Sequence, residues 1–218
     1  MATRHSPHPH HGVGDSDDDL AAFFDEVTPV AARKILVAAT EVFAKRGFHG
    51  TSTRDIGEQA GMSPAAMYIH FATKEELLYQ ISVIGHRLAL ATIEAAAAQS
   101  SDPAQQLRTL VSRFAAWHAV NHRMARIVQY EMMSLAPNHL AEVVAMRDAS
   151  EAVLDRVLRT GIRSGAFHIK DRAGTGLAIL SLCIDVARWY HAGSARSPDT
   201  IGRAYAELAV RMAGAESS

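Results

Sequence analysis

One short stretch of the chain concentrates polar side chains that are suited to binding nucleic acid. Each of them can donate a hydrogen bond to a phosphate oxygen, and the arginine also has the fork geometry that matches guanine O6 and N7. They are Thr53, Arg54, Tyr68, His70 and Lys74. Their types predict DNA binding, provided that the surrounding elements present them on one surface.

Two short predicted helices joined by a glycine turn would position these side chains. Ser52 has the side chain of an N-cap, and Asp55 three residues later can complete a capping box. Gly61 is where a residue in the left-handed conformation would end the first helix. Ser63 then caps the second helix, whose first position suits Pro64 because no N–H is needed there. This spacing predicts a helix-turn-helix, although an ordinary corner between two helices would share it.

The same stretch, with the helix before it, carries a longer pattern. It includes Gly47-Phe48, Thr51-Ser52-Thr53-Arg54-Asp55-Ile56, Ala60-Gly61-Met62-Ser63, Tyr68, His70-Phe71 and Lys74-Glu75-Glu76-Leu77. From residue 33 to about residue 77, the chain resembles the TetR family of bacterial repressors. The resemblance implies phosphate contacts by Thr53, Ser63, Tyr68, His70 and Lys74. It implies base or groove contacts by Arg54, Pro64, Ala65, Ala66 and Ile69.

Some positions depart from that family's usual residues or leave two interpretations open. Gly57, Met67 and the Ala65-Ala66 pair stand where Ala, Leu and a Gly are frequent, and none of these changes removes a hydrogen-bond donor. Arg33, at the start of the preceding helix, lies where a basic arm could touch the DNA backbone. A plain solvated charge fits that position equally well.

Composition limits the remaining classes of function. The 218 residues carry a net charge of −1, so DNA affinity must come from a local patch rather than from the whole chain. The single Cys183 is compatible with a reducing compartment, and no apolar run approaches the ~20 residues of a membrane span. Together with the lack of a secretory signal, this predicts a cytoplasmic protein. No nucleophile elbow, P-loop or dinucleotide fingerprint is present, so we expect no enzyme activity, no cofactor and no metal.

Hydrophobic periodicity predicts an all-α fold of nine helices, three in a DNA-binding head and six in a body. Residues 1–28 are predicted to be a disordered tail, residues 29–75 the DNA-binding domain, and residues 76–215 a ligand-binding and dimerisation domain. A helix of ~25 residues from about residue 74 would link the two parts. The last two helices resemble those that form a four-helix bundle across a two-fold axis in the TetR family, which implies a homodimer.

A cluster of bulky apolar residues with a few polar ends lies on the two middle helices of the body. It comprises Phe114, Trp117, His118, Met124, Ile127, Tyr130, Glu131 and Met133. Such residues are often plain core, yet they also describe an apolar pocket with limited polar anchoring. Near the C-terminus, the stretch from Val186 to Tyr190, with Gly193 and Gly202, resembles TetR members that respond to acyl-CoA thioesters. Arg188 could bind a phosphate or carboxylate there, and Trp189 could stack on a flat ring.

These patterns lead to one main hypothesis and two alternatives. The chain would be a homodimeric repressor that binds double-stranded operator DNA and releases it when a small hydrophobic effector, for example an acyl-CoA, occupies the body. Alternatively, it would bind DNA constitutively with a filled body. The third hypothesis is a small helical enzyme with an incidental helix-turn-helix.

Overall fold

The computed structural model describes residues 17–215, and within this range all regular structure is helical. The helices are α1 (Asp17–Phe23), α2 (Val30–Arg46), α3 (Thr53–Gln59), α4 (Pro64–Tyr68), α5 (Lys74–Ala97), α6 (Pro103–Val120), α7 (His122–Tyr130), α8 (Pro137–Ser164), α9 (Arg172–Trp189) and α10 (Pro198–Met212). A single 3₁₀ turn, Met132–Ser134, lies between α7 and α8. The predicted all-α fold is confirmed. None of the described helices is both long and apolar enough to cross a membrane.

The predicted disordered tail is wrong for its last part. Residues 1–16 lie outside the described residues, but residues 17–23 form α1, so the described range holds ten α-helices rather than the predicted nine. Phe24 is fully buried and Leu20 is nearly so, both in the same hydrophobic cluster as α2. The acidic composition of this segment indicated disorder. Its two apolar side chains are nevertheless buried against α2, and their burial stabilises the segment.

Side-chain caps begin most of these helices, as the sequence predicted for three of them. The Ser52 hydroxyl accepts a hydrogen bond from the Asp55 backbone N–H at 3.2 Å, and the Asp55 carboxylate accepts one from the Ser52 N–H at 2.8 Å. The hydroxyls of Ser63 and Thr73 cap α4 and α5 by accepting single hydrogen bonds from the N–H groups of Ala66 and Glu76. A cap of this kind contributes about 1 kcal/mol to stability. The local sequence therefore determines where the helices of the DNA-binding head begin.

The buried side chains form two hydrophobic clusters that share α5. The head cluster joins α1 to α4 with the first half of α5, where Leu77 and Ile81 are fully buried, and it also takes side chains from α7 and α8. The body cluster joins the second half of α5, at Ile93, with α6, α8, α9 and α10. The predicted connecting helix is thus confirmed at 24 residues. The predicted domain boundary at residue 75 stays a prediction.

Helices α6 and α10 approach each other closely at one glycine. A Cβ atom on Gly202 would clash with the backbone carbonyl oxygen of Ser112 on α6, and backbone cannot move aside as a flexible side chain can. The absence of a side chain at this position therefore determines how closely α10 packs against the body.

We expect Gly202→Ala to lower the free energy of unfolding by about 1–3 kcal/mol, because the added methyl group forces the two helices apart. Denaturant unfolding followed by circular dichroism would measure the change. Arg203→Ala, at the next and exposed position, is the control and should stay within about 0.5 kcal/mol of the wild type. Equal stability of the Gly202→Ala variant and the control would contradict the close approach.

Candidate nucleic-acid interface and effector cavity

The predicted helix-turn-helix is formed by α3 and α4. Gly61 in the turn has a φ of 66°, the left-handed conformation that glycine adopts without strain. Ile56 of α3 and Met67 of α4 are fully buried in the head cluster and fix the two helices against α2 and α5. The polar residues on their other faces are thereby left at the surface.

The structure brings several of the predicted DNA-contacting residues to the surface of α3 and α4. The hydroxyl groups of Thr53 and Tyr68 lie 3.0 Å apart and join the start of α3 to the end of α4. Tyr68 and Ile69 are 50% and 79% exposed. The other predicted residues here are Ser63 and Ala65, which are exposed, Ala66 and His70, which are partly exposed, and Pro64, which begins α4.

Arg54, the predicted base reader, is held in place only weakly. Its Nε donates to the Glu58 carboxylate at 2.9 Å, one helical turn further along α3. The side chains of this pair are 81% and 64% exposed. An exposed pair of this type contributes about 0–1 kcal/mol, so a base edge or phosphate can replace Glu58 at little cost.

The ammonium group of Lys74 is bound within the protein, whereas the sequence predicted that it contacts a phosphate. Its Nζ donates to the backbone carbonyl oxygens of Phe48 and Thr51, each at 2.8 Å, and lies 4.4 Å from the centre of the Phe48 ring. Two of its three N–H groups are thereby used within the protein. Lys74 anchors the loop between α2 and α3 to the start of α5 rather than serving as a free phosphate donor.

Arg33 likewise is not a free basic arm. Its guanidinium donates to the Asp25 carboxylate at 3.1 Å and to the Asp25 backbone carbonyl at 2.5 Å. Both bonds tie the start of α2 to the turn after α1. The sequence did not predict this role because the partner lies in a segment that was expected to be disordered.

The body contains a partly open cavity of about 70 Å³ lined by helices α5 to α9. Four of the predicted ligand-binding residues line it: Phe114, Trp117, His118 and Met124. Further lining residues that the sequence analysis did not select include Gly85, His86, Ala89, Gln129 and Arg147. His86 interrupts the apolar stripe of α5, and a polar residue at such a position was the signal that could have identified it.

Three of the predicted ligand-binding residues on or just after α7 lie outside the cavity lining. Ile127 is buried in the head cluster rather than in the cavity wall. Tyr130 is the last residue of α7 and is 53% exposed, and Met133 is 77% exposed on the 3₁₀ turn that follows. Helical spacing in the sequence does not show that α7 ends at Tyr130, after which Met133 no longer follows the face of that helix.

The other three predicted residues also lie outside the cavity lining. Glu131 binds the head, since its carboxylate accepts a hydrogen bond from the Phe48 backbone N–H at 3.0 Å. Arg188 forms an exposed pair with Asp185, whose pKa is lowered by the hydrogen bond that Arg188 donates. Trp189, at the end of α9, is 38% exposed.

The polar groups of the cavity include two uncharged imidazoles. Burial, together with a smaller effect of the nearby Arg147 charge, lowers the pKa of His86 to about 4. Burial also lowers the pKa of His118 to about 4. The His118 Nδ1 lies 2.9 Å from the Phe114 carbonyl oxygen and donates its proton to it, which leaves the lone pair on Nε2. At neutral pH the imidazoles thus offer hydrogen bonds but no charge.

A second set of contacts joins the head to the loop between α7 and α8. Glu75, in the first turn of α5, accepts hydrogen bonds from the Ala136 backbone N–H at 2.8 Å and from His139 Nδ1 at 2.9 Å. His49 Nε2 lies 3.0 Å from the Ser134 hydroxyl. Together with Glu131, these contacts fix the head relative to the helices that line the cavity.

Comparison with known proteins agrees with this architecture in both parts of the chain. Residues 35–81 match the family described as bacterial regulatory proteins, tetR family. Residues 100–213 match the family described as tetracyclin repressor-like, C-terminal domain. These two ranges contain the helix-turn-helix and most of the cavity lining.

Individual relatives show the same likeness. The chain is 30% identical over 166 residues to the transcriptional activator FasR of Mycolicibacterium smegmatis, covering 72% of this chain and 70% of that protein. It is 26% identical over 147 residues to the fatty acid metabolism regulator protein of Bacillus subtilis, and the match covers 66% of this chain and 74% of that protein. A solved tetR-family regulatory protein from Rhodococcus RHA1 superposes with a TM-score of 0.84 at 42% identity, covering 87% of this chain and all of that one. The chain therefore belongs to the TetR family and is a DNA-binding regulator of transcription.

Proposed function

We propose that this TetR-family repressor binds operator DNA as a homodimer and releases it when the acyl part of an acyl-CoA thioester occupies the cavity in its body. The observation that carries this proposal is the position of the cavity. It is lined by α5, the helix that begins at Lys74 directly behind the helix-turn-helix, and by α7, which leads to the head contact at Glu131.

DNA binding would use the exposed residues of α3 and α4. Thr53, Ser63, Tyr68 and His70 would donate to phosphate oxygens, and the N-terminus of α4 would add backbone N–H groups. The recognition helix presents Ala65, Ala66 and Ile69, which cannot hydrogen-bond to a base edge. Arg54 is therefore the proposed reader of a guanine, and the other base preferences would come from thymine methyl contacts and DNA shape.

Dimerisation would use the exposed apolar side chains of α9 and α10. Leu177 is 65% exposed on α9, and Leu208 and Met212 are 39% and 37% exposed on α10. Large apolar side chains exposed on adjacent helices are typical of a protein interface. A dimer would place two recognition helices in grooves about 34 Å apart or a multiple of it, which a single short helix cannot achieve.

The effector class is supported by the chemistry of the cavity. Apart from Arg147 and Glu151, its lining is apolar or uncharged, which suits an acyl chain. The match to a regulator of fatty acid metabolism points to the same class. The cavity of about 70 Å³ is smaller than the roughly 300 Å³ or more of an ordinary ligand pocket, so a bound acyl chain would have to push α5 and α7 apart. Movement of either helix would change the distance between the two heads of the dimer.

Replacing Arg54 by alanine should cost about 1–3 kcal/mol in operator binding and relax the base preference at one symmetric position. Binding-site selection on random DNA, followed by titration of the best site, would measure both effects. The control is Glu58→Ala, which removes the partner of Arg54 but keeps the guanidinium, and its affinity should be unchanged or tighter. Identical sequence preferences of the wild type and Arg54→Ala would contradict the assignment.

Lys74→Met should lower the free energy of unfolding by about 1–3 kcal/mol, because two backbone carbonyls lose their donor. The dependence of DNA affinity on salt concentration should keep its wild-type slope, since no phosphate contact is removed. Lys45→Met, at an exposed position on α2, is the control for stability. Unchanged stability with a slope reduced by about one unit would instead identify Lys74 as a phosphate ligand.

Ala89→Leu should fill part of the cavity and prevent decanoyl-CoA from releasing operator DNA, while operator affinity in the absence of decanoyl-CoA is retained. Fluorescence anisotropy of labelled operator, with and without decanoyl-CoA, would test this. Ala91→Leu, an exposed residue of the same helix, should respond as the wild type does. Release from the Ala89→Leu variant at wild-type concentrations would show that the acyl group does not act through this cavity.

A further inference from the structure

Two polar atoms in the wall of the cavity have no hydrogen-bond partner within the described part of the chain. They are Nε2 of His86, on α5, and Oε1 of Gln129, on α7. Both residues line the cavity, and both atoms are shielded from bulk solvent. Buried polar atoms are almost always paired, so we expect these two to be paired by water or by a bound molecule rather than by the described residues.

The atoms differ in what they can accept or donate. The amide oxygen of Gln129 can only accept a hydrogen bond, whereas the imidazole nitrogen of His86 donates or accepts according to its tautomer. His118, the other imidazole of the cavity, uses its Nδ1–H on the Phe114 carbonyl and retains an accepting Nε2. Gln129 Oε1 therefore needs a donor in every case, and His86 Nε2 can act as a donor beside it when its tautomer carries the proton there.

We propose that the natural effector carries a hydroxyl group on its acyl chain and that His86 and Gln129 recognise this hydroxyl inside the cavity. The inference rests on the proposed function and specifies the effector of that same site. A hydroxyl donates one hydrogen bond and accepts others, so it can donate to Gln129 Oε1 while accepting from His86 Nε2–H. A saturated chain would leave both atoms unpaired, and a ketone would leave Gln129 without a donor.

Arg147 also lines the cavity, but it does not determine whether a hydroxylated or a saturated chain binds more tightly. Its guanidinium is partly buried in the cavity wall, with the Met132 sulfur at 3.8 Å from Nη1. It can donate to the thioester carbonyl, which every acyl-CoA possesses, and so does not distinguish a hydroxylated chain from a plain one. Discrimination therefore depends on His86 and Gln129.

Calorimetric titration with four matched thioesters would test the proposal on the full-length protein. The probes are decanoyl-CoA, 3-hydroxydecanoyl-CoA, 10-hydroxydecanoyl-CoA and 3-oxodecanoyl-CoA. We expect at least one hydroxylated probe to bind about ten-fold more tightly than decanoyl-CoA, with the ketone showing no such gain. In Gln129→Leu and His86→Leu the advantage should disappear, while decanoyl-CoA still binds.

The melting temperature of the ligand-free protein gives an independent readout. Gln129→Leu should raise it, because the substitution removes an unsatisfied buried oxygen. Gln106→Leu is the matched control, since the Gln106 amide donates to the Ala97 carbonyl at 2.9 Å and its loss should lower the melting temperature. A decrease for both variants would mean that Gln129 has a structural role and would overturn the proposal.

The remaining outcomes separate this inference from the function on which it rests. Equal affinity for decanoyl-CoA and both hydroxylated probes, with release of operator DNA by each, would overturn hydroxyl recognition and leave the proposed function intact. Tightest binding of the ketone would overturn it as well, because the Gln129 amide would then be a donor. If none of the four thioesters binds, the proposed effector class fails and the inference fails with it.

Discussion

The orientation of the DNA-binding head depends on two carboxylates at its boundary with the body. Glu131, just after α7, accepts the backbone N–H of Phe48 in the head, and Glu75, in the first turn of α5, accepts the backbone N–H of Ala136 in the body. Ala136 lies at the N-terminal end of α8, where N–H groups have no partner within the helix, and Phe48 lies in the loop after α2. Because the contacts run in opposite directions across the boundary, the head cannot rotate without breaking at least one of them.

These carboxylates belong to the same helices that line the cavity. Glu75 lies on α5, which also contributes Gly85 and His86 to the lining, and Glu131 directly follows α7, which contributes Met124. The two helices approach so closely at Gly85 that a Cβ there would press against the Met124 sulfur. A molecule in the cavity has little space to displace one helix without the other, and both displacements reach the head through short polar contacts.

The sequence predicted those features that local chemistry determines. The helix-turn-helix was recognisable because Ser52, Gly61 and Ser63 each act on backbone within a few residues of themselves. The roles of Lys74 and Glu131 could not be predicted, since each depends on Phe48, a partner 26 or 83 residues away in the chain. For the cavity, the apolar residues of α6 were found by their clustering. Met124 of α7 was found in the same way, but the other lining residues required the relative positions of helices, which periodicity alone does not give.

The head cluster limits how a DNA-binding head can be exchanged between this protein and its relatives. Its apolar interior is completed by Met124, Ile127 and Val128 of α7 and by Leu135 and Val143 beyond it, all of them buried. A head cut from this chain near residue 75 would expose the surface that these side chains cover, and a foreign body would have to supply side chains of matching shape. Exchange of operator specificity between relatives is therefore expected to proceed by substitutions on the outer faces of α3 and α4, or by transfer of the head together with α7. The DNA-binding head cannot be transferred by itself, because its hydrophobic core is built in part from side chains of the body.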